Sequence, residues 1–170
     1  YDSFEEIIIK GAALGFADAP LSEKEPYIIR YAGMIDNWAE CDCFCSCIKV
    51  KKSEEDALRL LSESLLKQKE EFVSRVGIVL MFSKFSDEPT VKKALDIYDT
   101  LPCGEYYRDM AVAWGISVYC VKYPELITTY LEHSPLSITV KLMAAQKIRD
   151  SRRISDGVKR RVTDTVNAQR

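Results

Sequence analysis

Apolar residues recur along this chain at three- and four-residue intervals, and short punctuation of Ser, Asp, Pro or Gly divides them into blocks. That period is the signature of amphipathic helices. "SFEEIIIKGAALGF" opens the first, with Ser3 and Glu6 in capping-box spacing. "SEKEPYIIRYAGMI", "NWAECDCFCSCIKV", "SEEDALRLLSESLLKQK", "EEFVSRVGIVLMFSKF", "EPTVKKALDIYDTL", "EYYRDMAVAWGISVYCVKY", "PELITTYLEHS", "PLSITVKLMAAQKIRDS" and "SDGVKRRVTDTVNAQR" follow. No pair of segments reads as a hairpin. "VGIVLMF" alone suits a buried strand, but its helical flanks argue for a helix.

Laid on itself, the chain repeats. "EFVSRVGIVLMF" from Glu71 aligns with "EYYRDMAVAWGI" from Glu105, that with "SITVKLMAAQKI" from Ser137, and "NWAECDCFCSCI" from Asn37 falls into the same phase. Similar helices at such a spacing, each followed by another helix, predict a stack of antiparallel helix pairs. The expected fold is all-α, a right-handed α-α superhelix of HEAT-like repeats. In such a stack the inner helices line one concave wall. Numbered from the start of each inner helix, Trp38, Arg75, Asp42 and Trp114 fall within roughly 140° of one another at about 100° per residue. Trp38 and Asp42 stand one turn apart on the same helix.

Length and composition agree with one globular domain: 170 residues, 47% hydrophobic and 29% charged. The apolar runs fall short of the ~20 residues of a membrane span, and no basic start leads into an apolar stretch, so a soluble, cytoplasmic protein is expected. The chain opens at Tyr1, a few residues before an apolar run, and an N-terminal segment of the full-length protein is expected to be missing. With 24 Lys+Arg against 26 Asp+Glu there is no global pull toward polyanions. The distribution is uneven, however: Lys141, Lys147, Arg149, Arg152, Arg153, Lys159, Arg160, Arg161 and Arg170 face only Asp150, Asp156 and Asp164 in the last thirty positions. That excess reads either as a solvated helical tail or as a phosphate-contacting surface.

The segments "IDNWAECDCFCSCIK", "FVSRVGIVLMF", "YYRDMAVAWGISVYCVKYPEL" and "AAQKIRDSRRIS" resemble the AlkD-type DNA alkylation repair enzymes, bacterial HEAT-repeat DNA glycosylases. The resemblance covers nearly the whole chain, in order. It implies a site of a Trp-x-x-x-Asp turn, an arginine in the next inner helix and a tryptophan in the one after, here Trp38, Asp42, Arg75 and Trp114. The implied activity is hydrolysis of the N-glycosidic bond of cationic N3- or N7-alkylated purines in double-stranded DNA, by a monomer without metal or cofactor. Asp42 would stabilise the oxocarbenium-like sugar, Trp38 and Trp114 would press ring faces against sugar and lesion, and Arg75 would grip a backbone phosphate. Lys141, Lys147, Arg149, Arg152 and Arg153 would contact the DNA backbone. The sequence departs from the family at Asn37, where a second aromatic is usual, and places Glu40 beside the site helix.

Each residue alone has a plainer reading: Trp38 and Trp114 as core aromatics, Asp42 as an exposed carboxylate. Arg75, inside the apolar run "FVSRVGIVL", must leave the core or find a partner. Four of the six cysteines alternate through Cys41, Cys43, Cys45 and Cys47. On a helix these split onto two sides, so they do not converge on one ion, and they are expected to fill close helix contacts, with Cys103 and Cys120 doing likewise. A non-catalytic HEAT module that binds DNA or protein through the same wall is the alternative function.

Overall fold

The computed structural model describes residues 3–170, and these are all-helical: ten α-helices and one 3₁₀ turn, Lys52–Glu54. They run α1 Phe4–Phe16, α2 Leu21–Ala32, α3 Trp38–Cys47, α4 Glu55–Leu66, α5 Glu71–Lys84, α6 Glu88–Tyr98, α7 Tyr106–Lys122, α8 Pro124–His133, α9 Ile138–Asp150 and α10 Asp156–Asn167. "VGIVLMF" lies inside α5, and the helices in the repeating phase are α3, α5, α7 and α9. The chain forms two compact units that meet in sequence between Lys84 and Phe85.

Side-chain caps set four of the helix starts. Ser3 and Glu6 close a reciprocal box at the start of α1. Asn37, Asp87 and Ser137 each accept from a backbone N–H in the first turn of α3, α6 and α9. The Glu54 carboxylate accepts from the Leu21 N–H at 2.7 Å and the Lys51 N–H at 3.1 Å, and these bonds hold its carboxyl below the usual range.

In the first unit α1 packs on α3 and α3 on α5, while α4 lies along α5 and α2 touches α4 and α5. Every second helix is therefore a neighbour. The second unit repeats this with α7 on α9, α8 on α7, and α10 on α8 and α9. The cores are Ile28, Phe44, Leu58, Leu66, Val76, Ile78 and Leu80 in the first, and Tyr98, Ala111, Ile116, Tyr119, Ile127 and Val162 in the second. Burying side chains of this size is the main stabilising term, at roughly 1.5–3 kcal/mol each.

The α4–α5 contact depends on Gly77. A Cβ there would lie 2.6 Å from the Ser62 carbonyl oxygen and 2.7 Å from the Leu66 Cα, and closer still to the Leu66 N. These are backbone atoms of a packed helix, so no rotamer change relieves the clash. Gly77→Ala should therefore destabilise the protein by about 3 kcal/mol, at the upper end for overpacking; a thermal melt matching wild type would refute this.

Three lysines tie helix ends to main chain. Lys24 Nζ donates to Lys49 O at 2.7 Å and Ala17 O at 3.3 Å, Lys84 Nζ to Ile48 O at 2.8 Å, and Lys122 Nζ to Ser86 O at 2.8 Å. Lys24 and Lys84 thereby place a cation at the carbonyl ends of α1 and α3, where the helix dipole favours it. Burial pulls the Lys84 ammonium below its ordinary range, with Cys45 and Cys47 opposing.

Candidate functional site

Helix α3 begins at Trp38 because Asn37, in extended conformation, turns its side-chain oxygen onto the Glu40 N–H at 3.0 Å. The first residue of a helix has few neighbours, and Trp38 is 55% exposed. A tryptophan so exposed is not a core aromatic. One turn on, Asp42 is partly buried and reaches across to α5. Arg75 donates Nε to Asp42 Oδ1 at 3.2 Å and Nη2 to Oδ1 at 3.0 Å and Oδ2 at 2.9 Å. This is a fork of charge-assisted bonds that fixes the carboxylate in plane and position. Arg75 is 4% exposed, so the apolar run holds it by supplying a partner, the second of the two options its sequence context left open. The phosphate grip expected of Arg75 is not what this geometry offers: its guanidinium is sunk against Asp42.

Glu40 faces away from Trp38 and Asp42. It is buried, and its Oε2 has no hydrogen-bond partner among the described residues. It stands near Tyr31, whose hydroxyl donates to Ile7 O at 2.7 Å. Burial first, then Glu40, pushes that phenol up to about 12. Of the cysteines, Cys41 and Cys45 are buried, with the Cys45 thiol donating to Val76 O at 3.6 Å, whereas Cys43 is exposed and Cys47 half-buried. The two-sided split follows the helical period. Cys120 is buried too, its thiol raised to about 11 by burial. Cys43 and Cys103 correct the expectation that all of them fill helix contacts: both are exposed, Cys43 on the outer side of α3 and Cys103 in the connection before α7. No group of three His, Cys, Asp or Glu gathers as metal ligands among the described residues.

The second unit holds Trp114, on α7. It lines an open cleft of about 330 Å³ with Ser117, Val118 and Val121 from its own helix and Lys147, Asp150, Ser151 and Arg153 from α9 and the turn after it. Ser117 donates to Trp114 O at 2.7 Å. The cleft joins an aromatic and two valines to two cations and one carboxylate, a lining that offers a ring face beside groups able to hold an anion such as a phosphate. Its other α7 members were not singled out from the sequence. Their spacing at three, four and seven residues from Trp114 is the signal that finds them.

Of the other expected backbone contacts, Arg149, Arg152 and Arg153 are exposed and Lys147 is partly so. Lys141 is a correction. It is 5% exposed, donates Nζ to Gln169 Oε1 at 2.6 Å, and burial lowers its ammonium, with Asp99 opposing. It is an internal tie between α9 and the C-terminal residues, not part of a surface. No helix among the described residues is long and apolar enough to cross a membrane. Comparison of the chain with known protein families, curated proteins and solved structures finds no match.

Proposed function

We propose that the chain is a DNA glycosylase that hydrolyses the N-glycosidic bond of cationic N3- or N7-alkylated purines, and that its helix pairs are HEAT-like repeats of a right-handed α-α superhelix. The every-second-helix packing inside each unit supports the architectural part. One observation carries the chemical part: an exposed tryptophan stands one turn from a carboxylate that a buried arginine holds in a bidentate grip.

An alkylated purine already bears positive charge and leaves without a general acid. The bond electrons depart with the base and neutralise it, and water adds to C1′ with loss of a proton. Between those events the sugar carries positive charge, comparable with the species in glycoside hydrolysis. Asp42 presents fixed negative charge to it, while Trp38 offers a ring face whose quadrupole favours a cation. Arg75 is the positioning residue, and it prevents the carboxylate from turning away. Trp114 adds, from its own cleft, an aromatic face flanked by cations.

The pairing of Asp42 also supports a second reading. A carboxylate already neutralised by a guanidinium attracts a developing cation less strongly, as in a scaffold that binds DNA or protein without excising anything. Incubation with duplex DNA carrying N7-methylguanine or N3-methyladenine separates the two. The glycosylase releases free base from these duplexes and none from undamaged DNA. Absence of release from both lesions, with DNA binding intact, defeats the catalytic reading.

A further inference from the structure

The second unit carries a further surface, separate from the Trp114 cleft, that joins Arg149 to two cations of α10 not so far assigned to DNA, Lys159 and Arg160. Helix α10 is held by one face: Val162 and Val166 are buried and Val158 is half-buried. Arg161 ties it to α8 by an ion pair with Glu125 at 2.6 Å. The side away from the valines faces an open groove of about 460 Å³ between α9 and α10, lined by Arg149, Asp156, Lys159, Arg160, Thr163 and Asp164.

Ion pairing in this groove is incomplete. Several other cations of the unit have answers: Lys92 pairs with Glu88 at 2.7 Å, Arg161 with Glu125, Lys122 with a carbonyl and Lys141 with Gln169. Among the described residues Arg149 meets only the neutral Gln146 and Thr163 side chains. Arg160, and Arg152 and Arg153 in the turn that leads into α10, have no carboxylate within ion-pair distance among the described residues, and Lys159 has one at 3.9 Å. Like charges concentrated on two adjoining elements repel one another, and a partner of repeated negative charge relieves that repulsion.

We propose that the α9–α10 groove, through Arg149, Lys159 and Arg160, is a phosphodiester-backbone contact for double-stranded DNA. Resting on the DNA-directed reading above, it adds a lesion-independent hold that works outside the chemistry. Arg149 and Arg160 are exposed and Lys159 is partly so; spread along two helices, they suit a polyanion whose phosphates stay partly solvated, and they read charge, not base sequence.

The test is binding of undamaged duplex DNA by the full chain, followed by fluorescence anisotropy across a salt series. Lys159→Gln/Arg160→Gln should weaken binding roughly tenfold at low salt and lower the slope of log affinity against log salt by about 2. Arg161→Gln, on the opposite face, should leave the slope as in wild type. Asp156→Asn/Asp164→Asn, which removes the groove's own negative charge, should tighten binding, so the proposal does not hang on one variant's folding. An unchanged slope in Lys159→Gln/Arg160→Gln overturns it. So does a wild-type protein that ignores duplex DNA, or one that binds phosphatidylserine vesicles in its place. Base release by wild type with an unchanged slope in that variant defeats the groove alone. Salt-sensitive binding that depends on the groove, without base release, defeats the glycosylase alone.

Discussion

Asp42→Asn is expected to lower base release from N7-methylguanine duplex by about 10²–10³-fold, the usual loss when one preorganised electrostatic partner of a transition state is removed. Asparagine keeps the size and one acceptor oxygen, so Arg75 still finds a partner in Oδ1 and α3 still packs on α5. What disappears is the negative charge. The affinity for DNA should hold or rise, since one carboxylate near a polyanion has gone. Single-turnover base release and duplex binding, measured on the same preparation, check both halves. A variant that releases base at the wild-type rate removes Asp42 from the chemistry.

The second large effect is on stability. Arg75→Ala leaves the Asp42 carboxylate, with a side chain 21% exposed, facing a hole lined by apolar groups. Removing one member of a buried pair usually costs 3–5 kcal/mol, and the partial access of Asp42 to water places this case near about 3 kcal/mol. For a chain of this length that is roughly 6–12 °C in Tm. Arg75→Met separates the contributions. It refills most of the volume and still leaves the carboxylate without its fork, so stability should recover in part while base release stays low. Full recovery of base release in the methionine variant would show that Arg75 matters only as packing. The Asp42→Asn/Arg75→Met double variant should be more stable than Arg75→Met alone, because the unpaired charge is gone.

The residues differ in how much of this they disclosed. The start of α1 was legible because Ser3 and Glu6 form a box whose effect is local. The two sides of α3 were legible because alternate cysteines on a helix must separate. The exposure of Trp38 was not: period alone places it on a face, and only the N-terminal position on α3 shows how few neighbours that face has. For Arg75 the sequence narrowed the options to exit or pairing but did not select Asp42, thirty-three residues earlier, since pairing across helices depends on their contact. Lys141 misled for a related reason. A lysine in a basic stretch reads as surface, yet its outcome was decided by Gln169, near the chain end, which offered an acceptor inside.

The lysine ties have a consequence for how this chain can vary. In each, the donor is a side chain and the acceptor is main chain: Lys24 on Lys49 O, Lys84 on Ile48 O, Lys122 on Ser86 O. A carbonyl is supplied by whatever residue occupies the position. In a library of random substitutions, the receiving position 86, at least, should accept many side chains without losing its tie, while its donor at 122 should accept few. At that pair the structural information is thus held asymmetrically, in the letter at 122, and the letter at 86 is left to drift.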